Sequence, residues 1–166
     1  MAFLALQPAS SKRARENELK TLRISKTIEE IKPYLTVEDM RLLRSEFPEG
    51  RVNIWGVKLE RAGQWGKMLN GQTLVLFKRG RRVILRGVVV YKVMNEDLAL
   101  HLWGPDDDGK PWTLIYFLKN LKKVDIPASE ISRAAGRSLE DNWQAFTVIF
   151  PPEADRVIKE FFNDWQ

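Results

Sequence analysis

A chain of 166 residues, of which 44% are hydrophobic and 30% charged, has the composition of an ordinary globular protein and can bury a core. It has no cysteine and one histidine, which excludes disulfides, thiolate nucleophiles, cysteine-based zinc sites and paired-histidine metal sites. Residues 1–6 lack the basic leader of a signal peptide, and no apolar run approaches the roughly 18 residues of a membrane span. We therefore expect a cytoplasmic protein with no membrane contact.

The net charge of +5 is unevenly distributed along the chain. Between Lys58 and Lys92 there are nine basic residues and a single acidic one, Glu60, whereas residues 138–166 carry six acidic residues and two basic ones. Such polarity favours one face that binds a polyanion, and nucleic acid is the commonest candidate. The alternative is chance clustering of a large number of basic residues.

The first part of the chain is predicted to be helical. Apolar residues recur near helical spacing through residues 11–47, and Pro33 prevents a single long helix. Thr36 is a suitable N-cap, with Asp39 at the third helical position of the helix that follows. We assign residues 1–50 to an N-terminal helical extension.

Strand patterns dominate the middle of the chain. The predicted strands are 52–57, 73–79, 82–93, 97–103 and 112–118. Residues 60–69 fit either a short helix or an irregular loop, because Gly63 and Gly66 weaken a helix there. Residues 104–111 have the composition of a loop.

The C-terminal part returns to a mixed pattern. The predicted elements are a helix from Ser129 to Gly136, a helix near 140–143 capped by Ser138, a strand at 146–150 and a helix opened by Pro151–Pro152. We therefore assign residues 51–166 to one α+β domain, a small twisted β-barrel-like sheet flanked by helices.

A basic hairpin tip is the clearest candidate for contact with a nucleic-acid backbone. Four cations, Lys78, Arg79, Arg81 and Arg82, surround Gly80, whose conformational freedom allows the tight reversal. The alternative is a solvated tip whose charges only keep the sheet edge from pairing with a neighbour.

The tryptophans are the candidates for contact with a base. Three of the six stand in strand, helical or terminal contexts typical of core residues: Trp55, Trp143 and Trp165. Trp65 lies in a glycine-rich connection, and Trp103 and Trp112 border the loop 104–111. Two facing indoles can sandwich a flipped base, at roughly 1–3 kcal/mol per stacked base. Packing of these indoles in the core is the alternative.

The aspartates Asp106–Asp108 do not form a recognisable cation site. An EF-hand loop needs a glutamate at its twelfth position, where this chain has Phe117. A solvated turn is the simpler interpretation, with one carboxylate available to a base amino group. Signatures of phosphate-binding loops and nucleophile elbows are missing. We expect no catalytic residue, metal or cofactor.

The order of short motifs resembles a known family. The segments that carry the resemblance are 71–77 (GQTLVLF), 86–90 (RGVVV), 102–103 (LW), 114–118 (LIYFL) and 124–127 (VDIP). Together they are similar to the EVE/YTH branch of the PUA-like superfamily. More narrowly, residues 51–135 resemble the N-terminal specificity domains of archaeal modification-dependent restriction complexes of the McrBC type.

The resemblance implies a reader that flips a modified base into an aromatic cage. The cage tryptophans of the family correspond to Trp65 and Trp103, and Trp112 stands nearest to the third wall. Residues just after the first strand of the family contact the base edge. Lys58 and Glu60 occupy that place here, and we add Asp106 from the loop. The expected phosphate contacts are Arg61, Lys67, Lys78, Arg79, Arg81 and Arg82.

These features lead to three functional hypotheses. The first is a non-catalytic DNA-binding domain that recognises a methylated base, N6-methyladenine before modified cytosine, with an AAA+ GTPase motor and a nuclease on other domains or subunits of a restriction complex. The second keeps the fold and reads modified RNA. The third is an assembly module whose tryptophans are packed core and which binds no nucleic acid.

Overall fold

A computed structural model describes residues 1–140 and 142–166. In these residues the secondary structure consists of seven strands and seven α-helices, in the order β1 Phe3–Pro8, α1 Lys12–Thr21, β2 Lys26–Thr27, α2 Ile28–Ile31, α3 Val37–Glu46, β3 Arg51–Val57, α4 Ala62–Trp65, β4 Thr73–Arg79, β5 Arg82–Met94, α5 Glu96–Trp103, β6 Leu114–Pro127, α6 Ala128–Ala134, β7 Thr147–Ile149 and α7 Glu153–Phe161. Short 3₁₀ turns at Lys32–Tyr34 and Leu59–Arg61 complete it. No helix of the described residues has the length and apolar character needed to cross a membrane.

The strands form one mixed sheet in the order β2-β3-β6-β5-β4-β1-β7. Strand β1 pairs in parallel with β4, from Phe3 opposite Thr73 to Pro8 opposite Lys78, and the other described pairings are antiparallel. The predicted α+β class is therefore confirmed. Strand β1 was not predicted, so the N-terminal extension, residues 1–50, is not purely helical.

The chain divides into two compact units that are interleaved in sequence. The first unit comprises Met1–Ser10, Gly63–Val89 and Asn120–Gln166, and the second comprises Ser11–Ala62 and Val90–Lys119. The predicted division at residue 50 does not coincide with these units, and that domain assignment stays a prediction.

The first unit has its own apolar core. Strands β1 and β4 contribute Leu4, Leu6, Leu74 and Leu76, all at most 1% exposed. Helices α6 and α7 cover them, since the apolar residues of α7 recur at helical spacing and are buried on one side. Trp143 is also buried there, and its Nε1–H donates a hydrogen bond of 3.1 Å to Ser132 Oγ.

The second unit packs helices α2, α3 and α5 against β3 and β6. The predicted capping of α3 is confirmed, because Thr36 Oγ1 accepts from Asp39 N at 3.0 Å and Asp39 Oδ2 accepts from Thr36 N at 3.1 Å. This exchange satisfies two backbone donors at the helix start. The core between the elements includes Leu43, Ile54 and Phe117.

Helix α5 corrects the predicted strand at 97–103. Asn95 caps it, with its Oδ1 accepting from Leu98 N at 2.9 Å, and Leu98 and Leu102 lie one turn apart on its buried side. A short apolar run does not distinguish a buried helix from a strand, so the N-cap was the decisive local signal.

Other predicted bounds differ by a few residues. Strand β6 begins at Leu114 and extends to Pro127, so Trp112 precedes it, and α6 begins at Ala128 without a capping side chain from Ser129. The helix predicted near 140–143 includes a residue outside the described part of the chain. The last strand is shorter than predicted, Thr147–Ile149.

Candidate nucleic-acid interface

Lys58, a predicted base-edge residue, binds two carboxylates. It follows β3, and its Nζ lies 2.6 Å from Asp106 Oδ2 and 2.9 Å from Asp108 Oδ2. Partial burial alone would lower the pKa of Lys58, but the hydrogen bonds and charges of the two aspartates outweigh it and raise that pKa. Two residues predicted to contact a base edge, Lys58 and Asp106, thus bind each other.

The aspartates belong to an ordered turn between α5 and β6. The Asp106 N–H donates to Lys110 O at 3.0 Å, and the Gly109 N–H donates to Asp106 O at 2.8 Å. Burial by itself would raise the pKa of Asp106, yet the hydrogen bond and charge of Lys58 hold it below its ordinary value. In residues 1–140 and 142–166, no group of three or more His, Cys, Asp or Glu side chains is arranged to hold a metal ion.

Trp103 lies in the core of the second unit. It is 3% exposed, and its Nε1–H donates to Thr21 Oγ1 at 3.1 Å. Its ring makes edge-on contacts with Trp55, at 6.5 Å between centroids, and with Trp112, at 6.4 Å. In this structure Trp103 therefore presents no open face to a base, contrary to its predicted place as a cage wall.

Trp112 is half-buried and lies beside two cations. The Arg13 guanidinium carbon is 5.6 Å from the ring centroid, and Lys58 Nζ is 5.8 Å from it. Arg13 Nη2 also donates to Trp103 O at 3.1 Å and to Pro105 O at 2.8 Å. Arg13 is not among the predicted site residues, because about 90 residues separate it from its partners and no local pattern marks it.

A cavity of about 330 Å³, here called the Lys58 cavity, opens after β3. Its lining residues are Lys58, Leu59, Glu60, Glu96, Lys110, Pro111 and Thr113. The volume lies at the lower end of the range for small-ligand sites. The lining includes Lys58 and Glu60, two of the predicted base-edge residues, but no aromatic ring, so the cavity is not an aromatic cage.

Trp65 belongs to the first unit. It ends α4 and is half-buried. Its neighbour Gln64 accepts a hydrogen bond from Val148 N through Oε1 at 2.9 Å, which ties α4 to β7. Since Trp65 and Trp103 lie in different units, their predicted pairing around a base stays a prediction.

The hairpin between β4 and β5 presents fewer cations than predicted. Lys78 is 9% exposed, and its Nζ donates to Gly80 O at 2.7 Å, so it turns back toward the backbone. Arg79 is half-buried, and the exposed Arg82 is paired with Asp125. Arg81 is exposed at the tip itself.

A second, larger cavity lies beside this tip in the first unit. Its volume is about 600 Å³, and Lys78, Gly80, Arg81 and Ser129 are among its lining residues. The remaining predicted phosphate contacts, Arg61 and Lys67, are exposed, and Lys67 Nζ lies 5.6 Å from the centroid of the Phe150 ring.

Comparison with known proteins finds a solved structure that shares this fold. No protein-family model matches the sequence, and no curated protein matches it. A solved structure described as the N-terminal domain of Thermococcus gammatolerans McrB bound to m5C DNA superposes with a TM-score of 0.73 at 15% sequence identity. The match covers 98% of this chain and 99% of that one, so the two share their fold over nearly the whole length.

Proposed function

We propose that this chain is a non-catalytic DNA-binding domain that recognises a methylated base. The observation that carries the proposal is the fold shared, over 98% of the chain, with a McrB domain described as bound to m5C DNA. At 15% identity the shared fold does not transfer residue roles, so these have to come from the contacts of this chain.

The proposed phosphate contacts are the exposed cations. Arg81 at the hairpin tip is the strongest of them, because its neighbours Lys78 and Arg82 have partners within the protein. Arg61 and Lys67 are also exposed. Binding through such contacts weakens as salt rises, because it releases counterions from the DNA.

The proposed base contacts lie around Lys58. A base cannot enter a cavity while it is stacked in a duplex, so it has to be flipped out. Trp112 is the half-exposed indole of the second unit and offers an aromatic surface, which Trp103 supports from the core. Lys58, Glu60 and Asp106 are the proposed contacts to the base edge, and Trp65 remains a proposed cage residue.

Two modified bases are candidates for the ligand. The sequence resemblance favours N6-methyladenine over modified cytosine, whereas the ligand of the McrB domain is described as m5C DNA. In either case the methyl group adds apolar area that an aromatic surface removes from water. We further propose that an AAA+ GTPase motor and a nuclease subunit act together with this domain.

The experiment is a titration of fluorescent oligonucleotides that differ only in one base. Matched duplexes carry 5-methylcytosine, N6-methyladenine or no modification, and RNA of the same sequence is the fourth ligand. We expect tighter binding to one methylated duplex than to the unmodified one. Trp112→Leu, once circular dichroism shows that it folds, should distinguish these two duplexes less well. Equal affinity for all duplexes contradicts the proposal. An equal or higher affinity for the RNA also contradicts it, and supports an RNA reader instead.

A further inference from the structure

Two carboxylates in the Lys58 cavity have no partner within the described residues. Glu60 lies in the 3₁₀ turn Leu59–Arg61, and Glu96 lies in the first turn of α5. Neither side chain makes a hydrogen bond or an ion pair within residues 1–140 and 142–166. Both are therefore available as hydrogen-bond acceptors.

The cations of the same cavity do not cancel this acceptor character. Lys58 is already bound to Asp106 and Asp108, at 2.6 and 2.9 Å. Lys110 is exposed and is the other basic residue of the lining. A phosphate would meet two carboxylates there, so the lining suits an uncharged ligand that donates hydrogen bonds.

We infer that Glu60 and Glu96 read the exocyclic amino group of the methylated base. This inference rests on the proposed function and specifies its ligand as an amino-bearing base. A carboxylate accepts a hydrogen bond from the N4 amino group of cytosine, as acidic side chains do in the major groove. The single N6–H of N6-methyladenine has the same donor character.

Thymine is the ligand that the same site rejects. It shares the 5-methyl group of 5-methylcytosine but has the O4 acceptor in place of the N4 amino donor. When O4 of thymine faces a carboxylate, neither oxygen has a hydrogen to donate, so the hydrogen bond between the site and the base is lost. Because Glu60 and Glu96 are exposed in the free protein, we expect the lower end of such discrimination, about fivefold.

The test compares 5-methylcytosine with thymine at one position opposite guanine. The mispaired thymine is easier to flip, so duplex opening favours thymine and any preference for 5-methylcytosine comes from the site. A second pair compares N6-methyladenine with 6-methoxypurine, in which oxygen replaces N6–H. The variants are Glu60→Gln and Glu96→Gln, with Glu49→Gln as a control of equal charge change at an exposed position outside the cavity lining.

The outcomes separate the inference from the proposed function. We expect about fivefold tighter binding of the amino-bearing member of at least one pair. This ratio should fall toward one in Glu60→Gln or Glu96→Gln and persist in Glu49→Gln. Equal binding of both members, each tighter than the unmodified duplex, overturns the inference and leaves the proposed function standing. No preference for any methylated duplex overturns both.

Discussion

The indole of Trp103 lies directly against Gly56. A Cβ at Gly56 would come within 2.7 Å of Cζ3 and 2.9 Å of Cη2 of that ring, and within 2.8 Å of the Trp112 carbonyl oxygen. Strand β3 can approach α5 this closely because position 56 has no side chain. Gly56 thus sets the place of both tryptophans that border the loop 104–111.

Gly56→Ala is therefore expected to destabilise the protein. The added methyl group must displace a buried ring and a backbone carbonyl, and overpacking of this kind costs about 1–3 kcal/mol. Urea denaturation followed by circular dichroism measures the change. Gly63→Ala is the control, since a Cβ added at this position in α4 would meet nothing within 4 Å and alanine favours a helix. Equal stability of Gly56→Ala and wild type would contradict the expected clash.

Lys58→Met is expected to reduce the slope with which the free energy of unfolding falls at acid pH. Burial alone would raise the pKa of Asp106, but the hydrogen bond and charge of Lys58 hold it below its ordinary value of 3.8. The ionised Asp106 therefore stabilises the folded state at pH values above 3.8, and this stabilisation is lost as the pH falls through the lowered pKa. The contribution is about 1 kcal/mol or less for a partly exposed pair.

Urea titrations at a series of pH values below about 5 measure this slope. Lys20→Met, which removes an exposed lysine of α1, is the matched control and should keep the slope of wild type. The same slope in Lys58→Met as in wild type would show that the Asp106 contact contributes nothing to stability.

Tyr91 is expected to titrate late in the alkaline range. Burial and the hydrogen bond that its hydroxyl donates to Asp39 Oδ1, at 2.5 Å, raise the pKa of Tyr91 from 10.0 to about 12. The stabilisation is complete below pH 10.0 and is lost as the pH rises to about 12. The difference in ultraviolet absorbance between wild type and Tyr91→Phe isolates this one phenol, and a difference step near pH 10.0 would contradict the contact.

Arg81→Ala is expected to reduce the salt dependence of DNA binding. If the exposed guanidinium at the hairpin tip contacts one phosphate, the slope of log K against log salt concentration should fall in magnitude by about 0.9. Fluorescence anisotropy across a series of salt concentrations measures it. Lys159→Ala, at an exposed position on α7, should leave the slope unchanged; a loss of equal size in both variants would mean that only net charge matters.

Local chemistry explains which elements were predicted well. The capping box of Thr36 and Asp39 involves four neighbouring residues, so its sequence pattern and its geometry coincide. The β4–β5 hairpin is also local and joined by a two-residue turn at Gly80. In contrast, β1 is a strand because it pairs with β4, from Phe3 opposite Thr73 onward, and no nearby residue signals that pairing.

The amino-acid sequence by itself determined the α+β class, the main hairpin, the capping of α3 and the concentration of basic charge, because each depends on neighbouring residues or on composition. Only the tertiary structure decided that Trp103 is buried against Gly56, that Arg13 lies beside Trp112, and that Lys58 is bound by Asp106 while Glu60 remains available. These outcomes depend on which distant segments pack together, since burial and pairing are set by neighbours in space and not by neighbours along the chain.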